Sequence, residues 1–170
     1  MGTAADREGC RPAETRVEMN QIVLPQHTNA LGTAFGGTIM SWIDICAAMS
    51  AQKLARRTVV TASMDQLDFV APIRLGQMVR LVSMVNYVGR TSMEVGCRVE
   101  AEETLSGETA HAASAYLTFV AIDAEGGAVS VRRLVPETPQ ERLRWQEAEA
   151  RRAQRLELAR RREELASQVR

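Results

Sequence analysis

Asp44 stands near the middle of GGTIMSWIDICAAMSA (residues 36–51), a stretch otherwise fit for burial as a helix on nearly every side. An unpaired carboxylate in such surroundings is expensive, so it needs either a partner or a task. Helical spacing places Met40, Ala47, Ala48 and Ala51 on its side. One reading is an ion pair with an arginine from a neighbouring strand or subunit. The other is a general base or nucleophile facing a cleft. The glycines of GTAFGG lead directly into this helix. Gly36 and Gly37 allow close backbone approach, and a first helical turn presents free N–H groups at the positive end of the helix dipole. That arrangement can hold a phosphate or polarise a carbonyl oxygen. The segment lacks the Lys-Ser/Thr of a nucleotide-binding P-loop and does not match G-x-G-x-x-G. Asn29, in the loop before the glycines, caps or turns the chain, or else orients a water or an oxyanion. His27 reads as a solvated loop residue and His111 as a core or interface histidine. Ser63 and Ser92 lack the His and Asp pattern of a nucleophilic triad.

The elements that must position these residues follow from the pattern. TRVEMNQIVLP alternates loosely and reads as a strand, and QHTNALGTAFGG reads as a loop. The helix is expected over residues 37–57. It closes on Lys53, Arg56 and Arg57, the charge sign that suits a helix C-terminus. TVVTASMDQLDFV, QMVRLVSMVNYV, TSMEVGCRVEAEE and TAHAASAYLTFVAI then read as four strands joined by hairpin-like turns. The long crossovers that parallel strands require are missing after the helix, so the expected class is α+β, an antiparallel sheet wrapped around one long central helix. From Glu141 onward Glu and Arg dominate and the apolar stripe is thin. This predicts a charged, largely solvated C-terminal helix whose removal leaves the domain working.

Bulk composition narrows the function classes. The 170 residues carry 21 Lys and Arg against 21 Asp and Glu, so overall charge makes no case for nucleic acid or a membrane surface. No apolar run approaches the ~18 residues of a spanning helix. The N-terminal MGTAADREGCRPAETR mixes acids and bases without an apolar run, unlike a secretory signal. Cys10, Cys46 and Cys97 are scattered, and two histidines make no His-rich metal centre. The expectation is a cytoplasmic protein without a metal site.

N-x-x-G-x-x-F-G-G-x-x-M-x-W-x-D (residues 29–44), VVTASMDQLDF (residues 59–69), PIRLGQ and GRTSMEV resemble the acyl-CoA thioesterases of the hotdog fold. The branch is that of the bacterial short, broad-specificity enzymes and the mammalian double-hotdog acyl-CoA hydrolases. The resemblance runs in order over about residues 16–136, which would form the hotdog domain. Residues 1–15 would be a disordered N-terminus and residues 137–170 a charged helical extension. It implies hydrolysis of acyl-CoA to a free acid and coenzyme A without metal or cofactor, coenzyme A being part of substrate and product. It matches the catalytic aspartate to Asp44, the catalytic asparagine to Asn29, and the oxyanion site to the N–H groups around Gly36 and Gly37. It further implies that Asn29 of one subunit faces Asp44 of another, so a homodimer is needed; many relatives are trimers of such dimers. The turn Gly89, Arg90, Thr91, Ser92 resembles the segment near the nucleotide end of coenzyme A, where Arg90 would meet phosphate. Thr33, a further substrate-binding candidate, stands where relatives often have Asn or Asp. A hotdog dehydratase would need a helix histidine, which is absent. A non-catalytic acyl-CoA sensor is the remaining alternative; the presence of Asp44 favours the enzyme.

Overall fold

A computed structural model describes residues 9–168. The elements are β1 (Val17–Ile22), α1 (Gly36–Ala55), β2 (Thr58–Phe69), β3 (Met78–Val88), β4 (Ser92–Glu102), β5 (Thr109–Ile122) and α2 (Pro139–Gln168). The five strands form one antiparallel sheet in the order β1-β3-β4-β5-β2. This is the hotdog fold, with a sheet against a long helix. One connection differs from the hairpin expectation. β2 pairs with β5 and β3 with β1, so residues 70–77 carry the chain between two strands that are not neighbours. Only β3–β4 and β4–β5 are hairpins.

The sheet's two faces follow from strand alternation. Val79, Leu81, Val85, Val95, Val99 and Leu117 are fully buried in one core with Ile39, Ile43, Cys46, Ala47 and Leu54 of α1. Polar groups inside this layer are matched: Ser83 donates to the Cys46 carbonyl at 2.8 Å and lies 2.7 Å from the Ser50 hydroxyl. The sheet does not enclose α1 completely, contrary to what its apolar sequence suggested. Met40, Ile45 and Met49 of the helix remain exposed. β2 is an edge strand whose Val60 and Phe69 are also exposed.

α2 departs further from the sequence reading. Thr138 and Glu141 form a reciprocal cap, with the Glu141 carboxylate accepting from the N–H groups of Glu137 (2.9 Å) and Thr138 (3.0 Å). Pro139 occupies the first helical position, where a missing N–H costs nothing. The first four turns then lie on the sheet. Trp145 stacks against Tyr87 with ring centroids 4.5 Å apart. Arg151 covers the Tyr116 ring at 3.7 Å and holds the Glu94 carboxylate at 2.7 Å. Arg155 pairs with Asp65 and donates to Thr118 at 2.6 Å. Glu94 is only 3 % exposed beneath α2, so its carboxylate depends on Arg151 for its charge partner. The expectation of a solvated helix is therefore corrected for its first half, which docks on the sheet. It holds for its last turns, where Leu156, Leu158 and Leu165 stand half exposed or more.

Of the segment expected to be disordered, residues 1–8 lie outside the described residues. Residues 10–15 are ordered by specific bonds. The Cys10 N–H donates to the Arg133 carbonyl at 2.8 Å, and Pro12–Thr15 form a 3-10 turn. The buried Thr15 hydroxyl accepts the Val85 N–H at 2.9 Å. Among the described residues no helix is long and apolar enough to cross a membrane.

Candidate active site

Three segments converge on the start and outer side of α1. The loop after β1 is closed at its base, where the Phe35 N–H donates to the His27 carbonyl at 2.8 Å. The His27 ring stands edge-on to Trp42, centroids 5.0 Å apart, and accepts the Leu24 N–H at 3.2 Å, so this residue is a structural pin of the loop. Inside the loop Asn29 organises the turn. Its side-chain oxygen accepts the N–H groups of Leu31 (2.9 Å) and Thr33 (3.3 Å), and its amide donates to the Thr33 hydroxyl at 3.0 Å. Asn29 is exposed, and its second amide N–H has no partner among the described hydrogen bonds. Thr33, a candidate for substrate binding, is thus engaged with Asn29, though it also reaches the cleft described next.

At the helix start the N–H of Thr38 is bonded to the Phe35 carbonyl, while those of Gly36 and Gly37 have no partner among the described hydrogen bonds. Absence of side chains matters here. A Cβ on Gly37 would come within 2.5 Å of the Phe35 ring. A cleft of about 360 Å³ opens beside Gly36 and is walled by Thr33, Ile39, Phe69, Val70 and Ile73. It combines an apolar lining with unpaired donors at one end.

Asp44 is partly buried on α1, next to the exposed Met40 and Ile45. Its one described side-chain partner is the Thr61 hydroxyl, which donates to Oδ1 at 2.7 Å. No arginine pairs with it among the described residues, so the ion-pair reading has no support within the chain. Thr61 had no role in the sequence reading. It precedes an irregularity in the β2–β5 register between Thr61 and Ser63, and such a bulge re-aims side chains on an edge strand. Only the three-dimensional pairing brings it to a residue 17 positions earlier. Asn29 and Asp44 share no hydrogen bond within one chain.

The remaining candidates lie at the β3–β4 hairpin. The Gly89 N–H donates to the Ser92 carbonyl at 2.8 Å, and the carbonyls of Arg90 and Thr91 accept from Val131 and Ala121 at 3.0 Å each. The Arg90 side chain is exposed. No cluster of three or more metal-ligating side chains occurs among the described residues.

Comparison with known proteins is consistent across sequence and structure. The thioesterase superfamily profile matches residues 31–108. The chain is 47 % identical to the Bacillus subtilis protein YkhA, called an uncharacterized acyl-CoA thioester hydrolase, over 75 % of this chain and 74 % of that one. It superposes on the Staphylococcus aureus acyl-CoA hydrolase, solved with butyryl coenzyme A and coenzyme A, with TM-score 0.81 and 40 % identity, covering 92 % of this chain and 98 % of the other. Variants of that enzyme carrying alanine for an aspartate, a threonine and an asparagine have also been solved; each replaced residue is numbered there one below Asp44, Thr61 and Asn29 here. A hexameric acyl-CoA thioesterase in its apo form matches with TM-score 0.85 and 38 % identity over 88 % of this chain and 96 % of that one.

Proposed function

The chain belongs to the thioesterase superfamily and hydrolyses acyl-CoA thioesters to a free acid and coenzyme A, and from that premise we propose how its own residues divide the work. The observation that carries the proposal is Asp44: a carboxylate on an apolar helix, held through one oxygen by Thr61 and in no ion pair among the described residues. The second oxygen is available to take a proton from water or to attack the thioester carbon directly. The N–H groups of Gly36 and Gly37 face the carbonyl oxygen and stabilise the charge that develops on it in the tetrahedral transition state. Collapse of that intermediate expels the coenzyme A thiolate; on the general-base route the proton that Asp44 took from water passes to it, and on the nucleophilic route water then cleaves the Asp44 mixed anhydride, releasing the free acid and supplying the thiolate's proton. The acyl chain lies in the apolar cleft beside Gly36. No group beyond protein, water and substrate enters this scheme.

Asn29 completes the site from a second copy. The uncovered residues of α1 and the apolar edge strand β2 adjoin each other, and an exposed apolar edge is a template for pairing. A homodimer that joins two β2 edges covers Met40, Ile45 and Met49, and brings the exposed side chain of Asn29 towards the partner's carboxylate. Hexameric relatives leave room for a further assembly of such dimers. We assign residues 16–136 to the catalytic unit and residues 137–170 to a helical extension. The three free, buried thiols accord with a cytoplasmic setting.

Asp44→Asn tests the scheme because it keeps volume and removes charge. kcat should fall about 100-fold or more, the scale of lost general-base catalysis, with the melting temperature within a few degrees of wild type. Asn29→Ala should also be impaired, and mixing the two inactive variants should restore part of the activity as subunits exchange. Wild-type turnover in Asp44→Asn, or no recovery on mixing despite proven exchange, would refute the scheme.

A further inference from the structure

Gly96 interrupts β4 on the face of the sheet turned away from Asp44. Strand alternation sends Val79, Leu81 and Val85 towards α1, and Val82, Met84 and Asn86 the other way. In the ladder Met84 lies opposite Gly96, and Gly96 opposite Tyr116, so the missing side chain leaves a notch between two large ones. Glycine inside a strand weakens it and commonly marks the close approach of another group. A Cβ on Gly96 would come within 2.6 Å of the Asn86 side-chain nitrogen and 3.4 Å of the Tyr116 ring. The Asn86 amide therefore lies over the glycine.

The notch opens into a cavity of about 440 Å³ that Arg144 of α2 closes on one side. Small-molecule sites span roughly 300–1,000 Å³. Asn86 lines the cavity, is only 6 % exposed, and has no side-chain partner among the described hydrogen bonds. Every other buried polar residue, from Thr15 and Ser50 to Glu94 and Thr118, has one. An amide so buried calls for an acceptor. The surroundings favour an anion. Glu18 and Glu100 are shared among Arg16, Arg80 and Arg98 at 2.8 to 3.1 Å, and Arg144 adds a fourth guanidinium, so four positive charges stand against two negative ones. Val82 and Met84 supply an apolar floor. We propose that this cavity binds a small aliphatic carboxylate, its oxygens on the Asn86 amide and the Arg144 guanidinium and its hydrocarbon part along Val82, Met84 and Tyr116. Two sources share that chemistry: the free acid released by the chain's own reaction, which rests on the hydrolase reading, and a carboxylate made elsewhere, which does not.

Calorimetry on the full chain with octanoate reads the site. Wild type should bind it, and should bind octanol, with the same chain length and no charge, at least about tenfold more weakly. Asn86→Ala and the partly exposed Arg144→Gln should each weaken octanoate binding about tenfold, the scale of one lost charge-assisted hydrogen bond. Gly96→Ala, which fills the notch, should weaken it without removing a charge. Asn86→Ala and Arg144→Gln should keep their melting temperatures within a few degrees and their kcat/KM for acyl-CoA, because both lie across the sheet from Asp44. Turnover identifies the source. If the chain's own product is the occupant, octanoate lowers the rate at saturating octanoyl-CoA, and Asn86→Ala is relieved of that inhibition. If the carboxylate comes from elsewhere, octanoate fills the site and the rate at saturating substrate is unchanged. No octanoate binding by wild type overturns the proposal. So does binding that all three variants keep, which would place the octanoate in the cleft beside Gly36, and so does equal binding of octanol. Binding requires no turnover, so a protein that takes octanoate in this variant-sensitive way but hydrolyses nothing would remove the hydrolase reading and leave this site in place.

Discussion

The two helices cover opposite faces of the same sheet by different physics. α1 enters the core with Ile39, Ile43, Cys46, Ala47 and Leu54, and its attachment is the removal of apolar surface from water. α2 has little apolar surface and attaches by guanidinium groups placed over carboxylates: Arg151 on Glu94, Arg155 on Asp65. The sheet register explains why both are possible. Val95 opposite Leu117 faces α1, whereas Glu94 opposite Thr118 and Gly96 opposite Tyr116 face α2. Hydrophobic attachment tolerates one carboxylate at its margin, and there Asp44 sits. Ionic attachment is directional, so Arg151 and Arg155 are each fixed over one carboxylate of the sheet.

The largest way to break this comparison is Arg151→Ala. It leaves the nearly buried Glu94 without its cation. Truncating one partner of a buried pair costs about 3–5 kcal/mol, measured here by urea unfolding. Burial opposes charge on Arg151, yet the pair with Glu94 holds its pKa above the ordinary arginine value, so the guanidinium stays charged. The double variant Arg151→Met with Glu94→Gln should recover most of the loss, since an apolar or neutral pair of similar volume is often neutral. A single variant within 0.5 kcal/mol of wild type, taken as roughly the noise of a surface change, would mean that α2 is held by packing alone.

A smaller effect is expected at the α2 cap. Desolvation works to raise the Glu141 carboxyl, but the N–H groups of Thr138 and Glu137 outweigh it and hold its pKa below the ordinary carboxylate value. A depressed carboxyl pKa contributes stability that is present above the unfolded value and is lost as pH falls through the folded one. Glu141→Gln should therefore cost about 1 kcal/mol near neutrality, the usual worth of a cap, and the gap to wild type should close on acidification below the ordinary carboxylate range. A gap that is constant between neutral and acid pH would assign the effect to shape rather than charge.

The smallest effect sharpens the boundary within α2 itself. Ending the chain after Glu157 removes turns held only by pairs along the helix, such as Arg161 with Glu157 at 2.8 Å. Stability and kcat/KM should change by less than about 0.5 kcal/mol, as for other surface changes. A larger loss would show that these turns meet another subunit.

How much of this was legible from residues alone depends on range. The reading of TAHAASAYLTFVAI as a strand matches β5 from Thr109 to Ile122, because strand propensity and bounding turns are written locally. The same holds for α1, whose bounds differ from the expected ones by one or two residues. Asp44 was conspicuous as a charge in an apolar helix, and Asn29, Gly36 and Gly37 stood out as loop and helix-start residues. Nothing local marked Thr61, whose meeting with Asp44 depends on a β2–β5 pairing and an irregularity within it. Nor could composition show that the Glu- and Arg-rich tail docks. A charged helix looks the same whether its arginines find water or Glu94.

The amino-acid sequence by itself determined the element types, the antiparallel class and the residues able to do chemistry, since propensity, periodicity and motif spacing act over a few residues at a time. The tertiary structure alone decided the strand order β1-β3-β4-β5-β2, the partner of Asp44 and the carboxylates that anchor α2. Each of these is a pairing between groups far apart in the chain. Which partner wins is settled only when burial removes water as the alternative.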